Sequence, residues 1–352
     1  MRKFDYSFLK TISLDVSLVN TISRVETLKE RDANRIIPFQ RTYRGMEAAA
    51  RIQSVFGSNA IEGIFTTDGR LKAICEKKVR PEGHNEAEIA GYRDALDLIH
   101  NNHDSMKVDE ETILDLHRMM MAYTTDGGGQ WKDIDNFIGQ YNEDGTIDVH
   151  FEPMSAEDTP KAMRQLILAY RLAMQDPAIN RLLLMPCFIL DFLSIHPFLD
   201  GNGRMSRLLT LLLLYKEGYN VGKYVSIEQK IYANISEYYR SLTESSNGWH
   251  EGKNDYIPFM RYYLGIVFFC YRELDRRFMT AVGSKENKTE RVEYAVLNSL
   301  MPVSKRELMK NLPDVSEVMI ANVLGRLVKE GRIEKIGAGP NTRYFRKQSE
   351  EI

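Results

Sequence analysis

The greasiest stretch of the sequence, Leu182 to Leu214, reads as two apolar helices, about 179–195 and 203–217, separated by a polar loop. Pro186, Asp191, His196, Pro197, Asp200 and Arg204 interrupt it, so no apolar run approaches the ~20 residues a membrane helix needs. Two such helices, the second stopped by Gly218, point to the interior of a helical protein. Helical spacing dominates elsewhere. Helices are expected over 44–57, with Gly57 at the end and the short piece SNAIEG after it, and over 86–100, 108–121, 158–175, 226–248 and 254–280. Strands are scarce: the best hairpin candidate is 136–151, turning near Glu143–Gly145. The expected fold class is mainly α.

The last sixty or so residues follow a different pattern. A polar stretch at 281–290 reads as a linker, and ERVEYAVLNSL as a helix. Ser304 and Glu307 form a capping-box pair opening a short helix to about Lys310. A further helix runs from Ser316 to about Glu330 and stops at Gly331, and RIEKI, GAGPN and TRYFR make a hairpin. Three helices and a hairpin in this order predict a winged helix-turn-helix. At ~150 residues per domain, 352 residues suggest two or three domains. The divisions expected are an N-terminal helical region at 1–105, a helical domain at 106–280 and a linker with the C-terminal domain at 281–352.

A formal net charge of −2 excludes a bulk polycation that coats nucleic acid or an anionic membrane. Cys75, Cys187 and Cys270 are far apart and form no CxxC pair, which excludes a disulfide scaffold or zinc ribbon and fits a reducing compartment. Asp5, Ser7 and Lys10 break up any apolar core near the N-terminus, so it does not read as a secretory signal. The expectation is a cytoplasmic protein with no membrane partner. His84, His100, His103, His117, His150 and His250 have no paired spacing with acids or cysteines and read as surface or core histidines.

The chemistry is concentrated in the loop between the apolar helices, HPFLDGNGRMSR at 196–207. Pro197 biases His196 out of helical geometry, ending the first helix and leaving the imidazole at a loop edge. Gly201, Asn202 and Gly203 tolerate left-handed backbone and can turn successive N–H groups toward one concavity. The next helix begins at once, so its unpaired N–H groups and positive dipole end point the same way. Arg204 and Arg207 share a face of that first turn, where two cations are unfavourable by about 0.3–1 kcal/mol each unless an anion sits with them. Asp200 offers a hard oxygen ligand where a phosphate and Mg²⁺ would meet. His196 alone in the string is suited to take a proton near neutral pH. Phe198 reads as the anchor of the loop.

With nine fixed positions at about 5% usage each, chance yields on the order of one match in 10¹¹ to 10¹² starting points. The string resembles the signature HPFx(D/E)GNGRxxR of the Fic family, and the resemblance extends over roughly residues 40–270. It implies a Fic/Fido helical core and transfer of AMP from MgATP to a Ser, Thr or Tyr hydroxyl of a target protein. On that resemblance His196 deprotonates the hydroxyl and Asp200 holds Mg²⁺. Gly201, Asn202 and Gly203 cradle the phosphates, and Arg204 and Arg207 neutralise the β and γ groups. The 136–151 hairpin stands where the family carries a flap that pairs with the target's backbone, with Phe137, Ile138 and Gly139 as its active-site edge. Tyr238, Tyr239 and Asn247 resemble adenine-pocket residues, with the spacing to Asn247 one residue off.

Ser58-Asn59-Ala60-Ile61-Glu62-Gly63 resembles the family's inhibitory motif (S/T)xxxE(G/N). In that reading Glu62 pairs with Arg207 at the γ-phosphate position, and Ser58 caps or tethers the inhibitory helix. In some relatives the same glutamate supports removal of AMP. The tail from Lys285 to Lys347 carries 13 Lys and Arg against 8 Asp and Glu. Asn322, Arg326 and Lys329 on the third, recognition helix of the winged motif, with the Arg332–Arg346 hairpin as its wing, could face DNA, although Glu317 and Glu330 lie on the same helix. Winged helices also dock proteins. The expectation is an autoinhibited adenylyltransferase. The alternatives are a nucleotide-sensing DNA-binding regulator or a Fic enzyme using another nucleotide or phosphocholine. A homodimer is left open.

Overall fold

A computed structural model describes residues 2–36, 40–141, 147–282, 288–297, 299, 301–339 and 342–347. The chain forms two compact units, one of Met1–Asn34 with Glu47–Arg272, the other of Arg35–Met46 with Glu273–Ile352. Helices come first, α1 (Val16–Ile36), α2 (Gln40–Ile61), α3 (Asp68–Cys75), α4 (Gly83–Asn102) and α5 (Glu110–Met120). A hairpin of β1 (Ile138–Tyr141) and β2 (Ile147–Phe151) follows. Then come α6 (Thr159–Gln175), α7 (Arg181–Ile195), α8 (Asn202–Lys216), α9 (Ile227–Tyr232), α10 (Ile235–Ser246) and α11 (Ile257–Val282). The tail supplies α12 (Lys288–Leu297), β3 (Val303–Ser304), α13 (Lys305–Asn311), α14 (Glu317–Lys329), β4 (Ile333–Ile336) and β5 (Arg343–Arg346).

Helix starts have local causes. The side chains of Thr67, Asp109, Asn180 and Ser226 accept backbone N–H groups from the first turns of α3, α5, α7 and α9. The core of the first unit is α7 and α8, buried on nearly every face. Helix α7 packs between α6, α8 and α10, and α8 packs on α4 as well. Leu208, Leu209 and Leu211 to Leu214 are all buried. Each such leucine removed from water contributes roughly 1.5–3 kcal/mol, which is why the apolar stretch is internal. Among the described residues no helix is long and apolar enough to cross a membrane.

Two sequence expectations are corrected. Helix α2 does not end at Gly57: it continues to Ile61, so Ser58 to Ile61 are helical. Gly57 is instead a point of close approach, because a Cβ there would lie 2.6 Å from the Gln229 backbone nitrogen at the start of α9. The expected helix over 226–248 is two helices, α9 and α10, separated at Ala233–Asn234. Helices α1 and α3 were not anticipated; α1 is polar on average, with few buried positions besides Leu18 and Val25, so its apolar stripe is thin. The hairpin turn near Glu143–Gly145 and half of the expected linker, residues 283–287, lie outside the described residues, and the rest of that linker is helical in α11 and α12.

In the second unit the capping box at Ser304 and Glu307 opens α13. A three-stranded antiparallel sheet in the order β3-β5-β4 stands beside α12, α13 and α14. Its core is built from Val292, Val296, Leu308, Ile320, Leu324, Leu327, Ile333 and neighbours.

Candidate active site

The loop between α7 and α8 is shaped by two left-handed residues. His196 follows the last residue of α7 with φ 53° and ψ 61°, and Gly201 precedes α8 with φ 79°. A residue before proline ordinarily takes an extended conformation, so left-handed His196 departs from the expectation and must be held by its surroundings. Asn202 and Gly203 already belong to α8. The Asn202 side chain turns inward, its Oδ1 accepting the Phe198 N–H at 2.9 Å and its amide donating to the Phe198 carbonyl at 2.7 Å.

Phe198 anchors the loop. It is fully buried and stacks on His117 with ring centroids 3.7 Å apart and planes 10° from parallel. His117 Nδ1 accepts the Gly129 N–H at 2.9 Å, so its Nε2 carries the proton and donates to the Asp200 carbonyl at 3.1 Å. Burial pushes the His117 pKa down to about 4, which keeps that tautomer neutral at working pH. The ring read as a surface or core histidine is thus a core histidine that braces the loop.

The two arginines each meet a carboxylate. Arg204, 1% exposed, donates to Glu88 Oε1 and to Asp200 Oδ2, both at 3.0 Å. Its Nε and Nη1 are buried without a hydrogen-bond partner. Arg207 donates through Nη2 to Glu62 Oε1 at 2.7 Å and to the Ser58 carbonyl at 2.9 Å, and through Nε to Ser58 Oγ at 2.8 Å. Its Nη1 is likewise buried and unpartnered. Burial disfavours the Arg207 charge most, but Glu62, with Tyr238 and Tyr92, together outweigh it and raise the guanidinium pKa above its ordinary value. Ser58 lies inside α2 and tethers Arg207; it does not cap the helix. Gly63, with φ 76°, stands past the helix end.

Glu62 also fills the concavity at the start of α8. A Cβ on Gly203 would lie 2.3 Å from Glu62 Oε1 and 3.3 Å from Arg207 Nη1, so the carboxylate rests where the glycine leaves the backbone bare. An anion therefore occupies the positive end of the helix beside Arg207.

A cavity of about 230 Å³ opens over this point. Glu62, His196, Gly203, Arg207, Tyr238 and Tyr239 line it, with Ile138 from the hairpin. Phe137 and Gly139 do not reach the cavity, nor do Asp200, Gly201, Asn202 and Arg204. Asn247 is at the C-terminal cap of α10 and lines a neighbouring cavity with Trp249 and His250. His150, Phe151, Ser194, Thr243 and Ser246 line the first cavity and were not anticipated. Their spacing carried a signal: Leu242, Thr243 and Ser246 extend the α10 face begun by Tyr238 and Tyr239.

Burial, and after it the Lys132 ammonium, push the His196 pKa down to about 4, against the Leu193 carbonyl and the Glu62 and Asp200 carboxylates. The imidazole is neutral at pH 7 and can accept a proton.

The fold and the site together define a helical protein with a bare, buried helix N-terminus, Arg207 beside it and a neutral imidazole at its edge. Residues 107–214 match the model of the Fic/DOC family. A protein adenylyltransferase Fic of Nematostella vectensis is 27% identical over 226 residues, 60% of this chain and 46% of its own length. Protein adenylyltransferase fic-1 of Caenorhabditis elegans is 26% identical over 221 residues, 59% of this chain and 38% of its own. The chain thus spans less than half the length of these curated relatives. Among solved structures, a Fic family protein from Desulfovibrio desulfuricans superposes with a TM-score of 0.61 at 21% identity, covering 97% of this chain and 99% of that one. A fragment of Fic-1 from C. elegans gives 0.57 at 21%, over 74% of this chain and 72% of that one. The fold is that of Fic proteins.

Proposed function

We propose that the chain is a self-restrained protein adenylyltransferase, transferring AMP from ATP to a side-chain hydroxyl of a target protein and releasing pyrophosphate. The observation that carries this reading is the shared cavity, in which a neutral imidazole faces the same space as the anion cradle and Arg207. In the reaction His196 takes the proton of the attacking hydroxyl as its oxygen bonds to the α-phosphorus and the bond to the bridging oxygen of pyrophosphate breaks. The unpartnered nitrogens of Arg204 and Arg207 fit the charge of the β- and γ-phosphates. Tyr238, Tyr239 and Leu242 give the base an apolar wall. Positioning and charge stabilisation account for the rate.

The residues present fit Mg²⁺ held mainly by substrate. Asp200 offers one carboxylate, 65% exposed, and among the described residues no cluster of three or more acidic, His or Cys ligands exists. One or two carboxylates plus phosphate oxygens are a usual Mg²⁺ environment. Bound there, the ion would neutralise phosphate charge.

Restraint follows from the seat of Glu62. Its carboxylate lies on Arg207 and over Gly203, so the γ-phosphate finds its partner taken. Both hairpin strands have an outer edge without a strand partner among the described residues, which supports docking of an extended target segment. We read the second unit as a winged helix-turn-helix, with Asn322 and Lys329 exposed on α14 as its outward face. DNA contact through it remains part of this proposal.

The test is incorporation of label from α-³²P ATP into the protein itself. Glu62→Gly should raise it at least about tenfold, and His196→Ala in the same background should abolish it. A Glu62→Gly protein no more active than the parent removes the restraint, and no transfer by either removes the activity. Mass spectrometry of a lysate incubated with the Glu62→Gly variant and MgATP identifies the target by a gain of one AMP.

A further inference from the structure

Lys132 stands between the hairpin and the loop, 3% exposed, and no part of the motif predicts it. Its Nζ donates to the Ile195 carbonyl at 3.3 Å and to Asn136 Oδ1 at 2.7 Å. Its own backbone N–H donates to the Pro197 carbonyl at 2.8 Å. One residue thus grips the carbonyls immediately before and after His196. Asn136, held by the same ammonium, extends the grip by donating to the Phe198 carbonyl at 3.0 Å.

These contacts answer the question posed by the left-handed backbone at His196. A non-glycine residue in that region costs roughly 1–2 kcal/mol and persists only where its surroundings over-determine it. The Ile195 carbonyl belongs to the peptide before His196 and the Pro197 carbonyl to the peptide after Pro197, whose ring fixes its own φ, so holding both narrows φ and ψ at His196 and with them the direction of the imidazole. An ammonium has no acceptor capacity and three donors, so it suits a pocket made of carbonyl and amide oxygens. Burying it is costly, and burial pushes the Lys132 pKa down to about 8, with Asp135 opposing. A buried lysine whose ammonium is spent on one amide oxygen and one backbone carbonyl is hard to explain by packing alone.

We propose that Lys132 is a positioning residue, which with Asn136 locks the left-handed backbone of His196 and aims its imidazole at the incoming hydroxyl. The proposal rests on the reading of His196 as the base. The residue also supplies a cation that lowers the His196 pKa; Arg207, Glu62, His150, Tyr238 and Tyr239 line the same cavity, and Asp200, Arg204 and His117 meet at the loop. Removing the Lys132 charge therefore raises the His196 pKa, whereas Lys132→Arg keeps it.

The test uses the full chain carrying Glu62→Gly, with Lys132→Met, Lys132→Arg and Asn136→Ala added singly. The His196 ring is titrated by ¹⁵N NMR, its signal assigned by loss in His196→Ala, and AMP transfer is measured from about pH 3.5 to 9. Lys132→Met is expected to lower kcat at least about tenfold while KM for ATP changes less than about threefold. It should raise the His196 midpoint by about a pH unit, and the acid limb of the rate profile with it. Lys132→Arg should recover most of both. Asn136→Ala should lower kcat with little change in the midpoint, and it carries the test if Lys132→Met does not fold. An unmoved midpoint and unchanged kcat in Lys132→Met overturn the proposal, as does unchanged kcat in a folded Asn136→Ala. Absence of AMP transfer by the Glu62→Gly parent refutes the functional reading instead, and the NMR midpoint still decides whether Lys132 governs the ring.

Discussion

Gly203 has no room for a side chain, and the atom it would strike belongs to Glu62. If the carboxylate stands where a phosphate belongs, a methyl group there obstructs both. Gly203→Ala is therefore expected to lower AMP transfer by at least about 100-fold in the Glu62→Gly background, where collision with the glutamate is already gone. Unchanged transfer in that double variant, read with radiolabelled ATP, would show that phosphate does not use this concavity. At this scale the sequence disclosed the residues of the string and little of what surrounds them. Glu88 lies on the buried stripe of α4 with Tyr92, Ala95 and Leu96, and a glutamate on an apolar stripe signals a hidden cation. Lys132 and His117 sent no comparable signal, because the partners that tie them to the loop are main-chain atoms whose positions depend on the finished fold.

The element that bears the restraint, α2, is seated by more than Glu62. Ser54 Oγ donates to Glu228 Oε2 at 2.7 Å, and Tyr92 OH and Ser226 Oγ donate to the same buried carboxylate. Three contacts within about one turn, at Ser54, Gly57 and Ser58, thus hold α2 against α9 and α8. Gly57→Ala forces the helix away from the Glu228–Gln229 backbone, which draws Glu62 off Arg207. The expected outcome is AMP transfer several-fold above the unmodified chain together with a lower Tm; a lower Tm without added transfer separates the seat of α2 from the restraint. Gly91→Ala is a contrasting case, since its Cβ would lie 1.8 Å from the Met120 carbonyl oxygen where α4 packs on α5. That clash falls on α5 and not on α2, so loss of several kcal/mol of stability without any rise in transfer is expected by urea unfolding and label incorporation. Periodicity located most of these helices. It misread Gly57 because a glycine that ends a helix and one that admits a neighbouring backbone look alike in one dimension.

Across the first unit, burial depresses four histidines, His117 and His196 to about 4, His100 to about 3, and His103 by a smaller amount. The unfolded chain protonates them near 6.5 while the folded chain does not. Their contribution to stability is complete above about pH 6.5 and is lost as pH falls toward 4. The urea midpoint should therefore drop between pH 7 and pH 5, above the range of ordinary carboxylates, and the slope should lessen in His100→Gln. A flat midpoint over that interval would contradict the burial of these rings. In the second unit, Glu293 pairs with both Arg326 and Arg332, and Glu330 also lies within ion-pair range of each. The positive charge that the sequence suggests for the outer face is partly tied up. Binding to random duplex is expected to vanish at 150 mM salt and to strengthen in Glu293→Gln, as read by gel retardation.

The carboxylate resting on Arg207 has a last consequence, which concerns populations. A chain whose competent form is a fraction f of the whole has its apparent dissociation constant multiplied by 1/f, however well that form is built. Within the proposed function, nucleotide is itself a ligand of the competent form, so part of its binding energy goes into displacing Glu62. The ratio of the apparent ATP constants of the parent and Glu62→Gly chains then measures the closed-to-open equilibrium directly. A partner or effector need not touch the chemistry at all: favouring the displaced position of α2 by 1.4 kcal/mol shifts that equilibrium by about a factor of ten.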